Sequence, residues 1–192
     1  MVNEQEKQVQ VPSLKEIQSE RKRIRRGTYY RQAFRGTVSV LLVVAAIAVL
    51  ITTLFLPILQ ISGDSMSPTM EHNEIVVLLK TKKFERGDLI GFYYQGKILL
   101  KRVIALPEDE VAIDADGNVY VNGELLDEPY VSSWSDFEGE FSVPEDCYFF
   151  AGDNRYGSLD ARYWARPYIH KDDIKGKAKF VIFPFSSFGT LE

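Results

Sequence analysis

Val38-Ser39-Val40-Leu41-Leu42-Val43-Val44-Ala45-Ala46-Ile47-Ala48-Val49-Leu50-Ile51-Thr52-Thr53-Leu54-Phe55-Leu56-Pro57-Ile58-Leu59 carries no charge, and the uncharged stretch around it runs from Gly36 to Gly63. At about 1.5 Å per residue this run makes a helix of roughly 33 Å, enough to cross a hydrocarbon core of about 30 Å. A cleaved secretory leader is the competing reading, because Ala46-Ile47-Ala48 has the small residues of a cleavage site. The run stays apolar beyond it, through Val49-Leu50-Ile51 to Leu59, and a long charged segment precedes it. Both features favour a retained anchor. The expected organisation is a basic tail over 1–35, an anchor over 36–59 and an outer domain over 60–192.

Charge sets the expected orientation. Residues 1–35 hold nine Lys and Arg against four Glu, and six of the nine lie between Arg21 and Arg31. The remainder holds 14 Lys and Arg against 23 Asp and Glu, so the net charge of −4 hides two opposite halves. The positive-inside rule places the tail in the cytoplasm, touching anionic membrane lipid, and the domain outside. An acidic outer domain argues against nucleic acid as a partner. Cys147 is the only cysteine, so the domain is held by packing and not by an internal disulfide; within Cys147-Tyr148-Phe149-Phe150 it reads as a small core residue.

Beyond the anchor the pattern is that of strands. Short apolar or alternating runs at 74–80, 88–94, 98–105, 111–114, 119–121, 147–151 and 179–183 are bounded by Gly, Asn, Asp and Pro. Gln95-Gly96, Asp116-Gly117-Asn118 and Asn122-Gly123 read as hairpin turns. No long helical periodicity occurs in this part. The expected fold is mostly β, antiparallel, behind a single N-terminal transmembrane helix, with an acidic, turn-rich insertion at about 106–145.

The stretch Gly63-Asp64-Ser65-Met66-Ser67-Pro68-Thr69 follows the anchor directly and puts a candidate nucleophile at the membrane surface. A serine hydroxyl needs a base. The two histidines, His72 and His170, both sit in polar segments and read as solvated surface residues. Lys101 is different, lying within Ile98-Leu99-Leu100-Lys101-Arg102-Val103-Ile104-Ala105-Leu106-Pro107. On a strand it shares a face with Leu99 and Val103, while Leu100, Arg102 and Ile104 take the other. If its face is inward, desolvation lowers its pKa and frees it as a base. The alternative is an amine that reaches solvent past its own stem, and the strand pattern alone favours that alternative. A third cluster, Gly152-Asp153-Asn154-Arg155-Tyr156-Gly157-Ser158-Leu159-Asp160-Ala161-Arg162, offers a turn, a free hydroxyl at Ser158 and an ion pair between Asp160 and Arg162.

In this order behind one anchor, these boxes resemble those of the type I signal peptidases, membrane-bound Ser-Lys proteases that remove signal peptides from exported proteins. The resemblance runs from about Leu41 to Pro184. It rests on Ser62-Gly63-Asp64-Ser65-Met66-Ser67-Pro68-Thr69-Met70, on Arg86-Gly87-Asp88-Leu89-Ile90, on Lys101-Arg102-Val103-Ile104-Ala105-Leu106-Pro107 and on the box from Gly152 to Arg162. Asp116-Gly117-Asn118-Val119-Tyr120-Val121-Asn122-Gly123 is similar to a hairpin common in these enzymes. The single anchor and short insertion resemble the Gram-positive form.

The resemblance implies Ser65 as nucleophile, Lys101 as general base and Ser158 as a hydrogen-bond partner that orients the lysine amine. It implies an Asp160–Arg162 ion pair shaping that wall, and Met66 packed beside the nucleophile as the floor of the cleft. Gly63 stands where some members carry a serine that completes the oxyanion hole, which leaves the backbone N–H of Ser65 as the implied donor. Ala161 replaces a serine often found there and removes no catalytic group. The implied substrates are secretory preproteins cut after small residues, typically Ala-x-Ala. Ile61, Met66, Leu99 and Leu100 are the expected pocket linings, and the edge strand at Leu99-Leu100 is expected to pair with extended substrate. Sec-type translocation machinery is expected nearby, and no metal or cofactor is implied. A self-cleaving cytosolic regulator of the same fold, and a catalytically silent tethered β-domain that binds envelope or translocation partners, are the rival readings.

Overall fold

The computed structural model of the protein describes residues 13–191; residues 1–12, the start of the expected basic tail, lie outside the described residues. The chain divides into two compact units, Met1–Leu50 and Ile51–Glu192. Helix α1 (Leu14–Phe55) takes in both the described part of the basic segment and the apolar one. Within it, Tyr29–Ile51 is long and apolar enough to cross a membrane. The helix stops just before Leu56-Pro57, because a residue preceding proline is pushed out of the helical region. Ile58 and Leu59, which the sequence assigns to the anchor, therefore belong to the first strand.

Twelve strands follow α1 among the described residues: β1 (Ile58–Gln60), β2 (Ile75–Leu79), β3 (Leu89–Tyr94), β4 (Lys97–Ala105), β5 (Glu110–Ile113), β6 (Val119–Val121), β7 (Glu124–Leu125), β8 (Gly139–Ser142), β9 (Cys147–Ala151), β10 (Tyr168–His170), β11 (Ile174–Phe183) and β12 (Gly189–Thr190). They form an eight-stranded sheet in the order β1-β2-β11-β3-β4-β9-β10, with β12 on β11, and a four-stranded sheet in the order β7-β6-β5-β8. All of these ladders are antiparallel.

The turns form where the sequence places them. Gln95 and Gly96 take φ of 48° and 78°, and Asn122 and Gly123 take 55° and 82°. This positive-φ pair suits a two-residue hairpin whose twist matches its strands. The smaller sheet is the expected insertion. Strands β1, β7, β8, β10 and β12 escape the sequence pattern because they are short, and β8 (Gly-Glu-Phe-Ser) is only half covered. β11 starts five residues earlier than its apolar run, since Lys175, Lys177 and Lys179 alternate with the more buried Gly176 and Ala178.

Three apolar clusters form the core, and β4 runs among them. Leu100 packs with Ile61, Met66, Met70 and Leu78 on one side. Val103 packs with Phe92 and Phe150 on the other, where Leu99 also lies. Ile104 and Ala105 then enter the cluster under the smaller sheet. From Leu100 onward every residue of β4 is buried. β9 joins β4 only from Arg102 onward, so on the side away from β3 the backbone from Lys97 to Lys101 carries no strand among the described residues.

Candidate active site

Ser65 sits in the turn segment that follows β1 and Ile61. Ile61 N–H donates to the Glu74 carbonyl at 2.8 Å, and Asn73 N–H to the Ile61 carbonyl at 3.0 Å. Beyond the serine, Ser67 N–H donates to the Asp64 carbonyl and Met70 N–H to that of Met66, and both methionines are buried. Asn154 clasps the turn from the late box: its N–H donates to the Ser65 carbonyl at 3.2 Å and its side-chain amide to the Asp64 carbonyl at 3.2 Å.

β4 delivers Lys101 to this turn. The amine Nζ donates to Ser65 Oγ at 2.5 Å, and the residue is only 4 % exposed. The inward face is the one Lys101 occupies, so its amine is sequestered and does not reach past its stem to solvent. Burial lowers its pKa from 10.5 to about 8, the carboxylates of Asp160 and Asp153 pull it back up, and Arg162 pushes it down. Desolvation wins because both carboxylates already hold arginines. Asp160 takes Nε and Nη2 of Arg162 at 2.8 and 2.9 Å. Asp153 takes Nε and Nη2 of Arg102 at 2.8 and 2.5 Å.

These pairs form a dry wall behind the lysine. Asp160 also accepts the Gly152 N–H at 2.9 Å, and Thr69 Oγ1 donates to Asp153 at 2.6 Å. The Arg102 guanidinium lies 3.8 Å from the ring centre of Tyr130. A third buried pair joins Arg155 to Glu128 at 2.9 and 2.5 Å. Ser158 Oγ is buried against this wall and makes no hydrogen bond with any described group. The Ser158–Lys101 bond implied by the resemblance is therefore not formed here. The space beside Ser158 goes to Gly152, whose Cα has no room for a methyl group.

Two clefts meet at Ser65 and Lys101. One, of about 260 Å³, is lined by Ile61, Met66, Leu99 and Leu100 together with the pair. The other, of about 480 Å³, is lined by Leu99, Leu159, Tyr163 and Trp164 together with the same pair. Gly63 is exposed at φ 87°, a conformation that favours glycine, and its N–H donates to His72 Nδ1 at 2.9 Å.

A model of the family described as signal peptidase, peptidase S26, matches residues 34–183. The chain belongs to the signal peptidase family. It is 33 % identical over 162 residues to signal peptidase I S of Bacillus subtilis strain 168, covering 76 % of this chain and 87 % of the relative. It is 32 % identical over 161 residues to signal peptidase I of Bacillus amyloliquefaciens, covering 76 % and 86 %. Against the probable signal peptidase I-2 of Synechocystis the identity is 34 % over 144 residues, 68 % of this chain, and the match spans 65 % of the relative's length. A solved signal peptidase I from Enterococcus faecalis V583 is similar at 31 % identity and a TM-score of 0.43, over 51 % of this chain and 98 % of that one.

Within this signal peptidase family member, the residues picked from the sequence converge. Ser65 and Lys101 touch, Asp160 and Arg162 pair, and Ile61, Met66, Leu99 and Leu100 share one cleft with Ser65 and Lys101. Several residues at the site were not foreseen, Arg102, Asp153, Glu128 and Tyr130 among them. Arg102 and Asp153 had a readable signal: an arginine inside a buried apolar strand must find a carboxylate, since an unpaired buried charge is costly. Glu128 and Tyr130 had none, because they stand in a turn-rich stretch like many others. His72, read as a solvated turn residue, is exposed but bonded to Gly63.

Proposed function

We propose that the protein is a membrane-bound serine endopeptidase that cuts signal peptides from secretory preproteins with a Ser65–Lys101 dyad. The observation that carries this reading is the 2.5 Å contact between Ser65 Oγ and a buried lysine amine whose pKa falls to about 8. When that amine is neutral it accepts the Ser65 proton as Oγ attacks the scissile carbonyl. Ser65 N–H, which has no acceptor among the described residues, is the donor for the developing oxyanion, and one such donor contributes roughly 3–4 kcal/mol. Lys101 then protonates the leaving amine and deprotonates the water that releases the acyl group. Ser158 Oγ, buried and unpartnered, supports the amine once the serine has become an ester.

Specificity for small residues such as Ala-x-Ala is assigned to the apolar cleft that Ile61, Met66, Leu99 and Leu100 line beside Ser65. The unpaired edge of Lys97–Lys101 suits an extended substrate that adds as a strand. The apolar segment Tyr29–Ile51 and the charge asymmetry support an anchor with a cytoplasmic N-terminus and an outer catalytic domain close to the translocation machinery. Exposed Ile58, Phe183, Phe185 and Phe188 on the domain fit contact with lipid.

The test is cleavage of a preprotein with an Ala-x-Ala site by the detergent-solubilised full chain and its Ser65→Ala and Lys101→Ala variants. Cleavage by the wild type alone supports the dyad. Equal cleavage by Lys101→Ala removes the lysine from the mechanism, and no cleavage by the wild type favours a binding module.

A further inference from the structure

Gly63 is the flexible point of the nucleophile turn. Toward the C-terminus the turn is clasped by Asn154, at the carbonyls of Asp64 and Ser65. Toward the N-terminus, Ile61 is tied to Asn73 and Glu74. Between these ties Ser62 and Gly63 are both exposed, and a glycine backbone with no side chain to pack has more conformations open to it than any other residue. One contact closes that gap. The Gly63 N–H donates to Nδ1 of His72 at 2.9 Å.

The acceptor is well mounted. His72 stands on the turn leading into β2, where Glu71 N–H donates to the buried Glu74 carboxylate at 3.1 Å and Glu74 N–H to the Glu71 carbonyl at 3.3 Å. Asn73 beside it holds φ at 71°. Because a peptide is planar, capturing the Gly63 N–H also sets the direction of the Ser62 carbonyl, and Ser62 lines the apolar cleft. An Nδ1 that accepts leaves the ring proton on Nε2.

We infer that His72 is a positioning residue for the nucleophile: by holding the Ser62–Gly63 peptide it removes the hinge two residues before Ser65 and keeps Oγ against Lys101. The inference rests on the endopeptidase reading for its kinetic consequence, and on the hydrogen bond alone for its structural one. It assigns His72 no contact with the reacting atoms.

The side-chain oxygen of asparagine sits at the same bond distance from Cβ as Nδ1 of histidine, whereas that of glutamine is one atom further out. The experiment therefore compares His72→Ala, His72→Gln and His72→Asn with the wild type in the full chain. Exposed hydrogen bonds are individually modest, so kcat should fall on the order of 5- to 10-fold in the Ala and Gln variants, with KM within about twofold, and should recover to within about twofold in the Asn variant. An Asn variant as slow as Ala, or an Ala variant as fast as the wild type, overturns the inference. Amide hydrogen exchange over the peptide containing Gly63 supplies a readout without activity. Slow exchange in wild type and Asn with fast exchange in Ala supports the tether, and equal exchange in all three overturns it. Loss of cleavage in the wild type itself would count against the endopeptidase reading and leave the exchange comparison intact.

Discussion

Gly152 lies so close beneath the Ser65 turn that a Cβ on it would stand 2.4 Å from the Ser65 carbonyl oxygen and 2.3 Å from Ser158 Oγ. The first of these is backbone and cannot swing aside as a side chain can. Gly152→Ala is expected to push the Ser65 turn off Lys101 and lower kcat on the order of 100-fold. Steady-state cleavage of an Ala-x-Ala substrate measures this, and a near-wild-type rate would mean that the turn yields.

The pH profile follows from one group. With a pKa of about 8 for Lys101, kcat/KM should climb about tenfold per unit well below that pH and level off above it. Asp160 contributes the largest pull holding the lysine charged. Asp160→Asn removes that pull and leaves Arg162 unneutralised, so in any variant that stays folded the rise should move to lower pH. A shift to higher pH would contradict the electrostatic reading.

The same burial makes Lys101 a cost to folding. Its folded pKa, about 8, lies below the 10.5 of the exposed side chain, so between those values the unfolded chain binds more protons and stability rises with pH. Below about 8 the folded protein carries the full penalty. Lys101→Met should therefore gain on the order of 2–3 kcal/mol at pH 7, with the gain shrinking above pH 8. Denaturant melts at pH 7 and pH 10 decide the matter, and an equal or negative gain at pH 7 counts against it.

Buried and surface ion pairs should separate cleanly. Asp153 is fully covered and holds Arg102 and Thr69, and removing its charge leaves a buried guanidinium uncompensated. Asp153→Asn is expected to cost about 3–5 kcal/mol. Asp146 pairs with Lys171 at 2.7 Å, but both side chains are about half exposed, and Asp146→Asn should cost less than about 1 kcal/mol. Comparable losses in the two variants, measured by urea unfolding, would contradict the burial argument.

Lys101 shows how far the sequence carries. Alternation placed it correctly between Leu99 and Val103, yet alternation cannot tell which face of a strand is covered, and that decides between a base and a surface amine. The turn that carries Ser65, the ion pair at Asp160 and the hairpin turns were legible because each has a local signature. Ile58 and Leu59 were misassigned because apolar residues look alike in a membrane helix and in a strand; only Pro57 marked the break. The Glu128–Arg155 pair was invisible, since 27 residues separate its members and nothing local demands that they meet.

That pair belongs to a seam. Glu128, Ser133 and Ser135 of the insertion bond to Arg155, Asn154 and Arg162 of the late box, while a Cβ on Gly123, at the turn between β6 and β7, would meet nothing within 4 Å. The lobe is thus bonded to the rest of the domain along this seam and again through Asn122, Asp109 and Arg86, while the Gly123 turn itself stands open. A reporter or an affinity tag spliced at Gly123 would extend from that open turn, whereas a deletion through 128–135 would strip contacts from the buried Arg155 and Arg162. For anyone re-engineering the enzyme, the insertion is a handle at one end and a structural brace at the other.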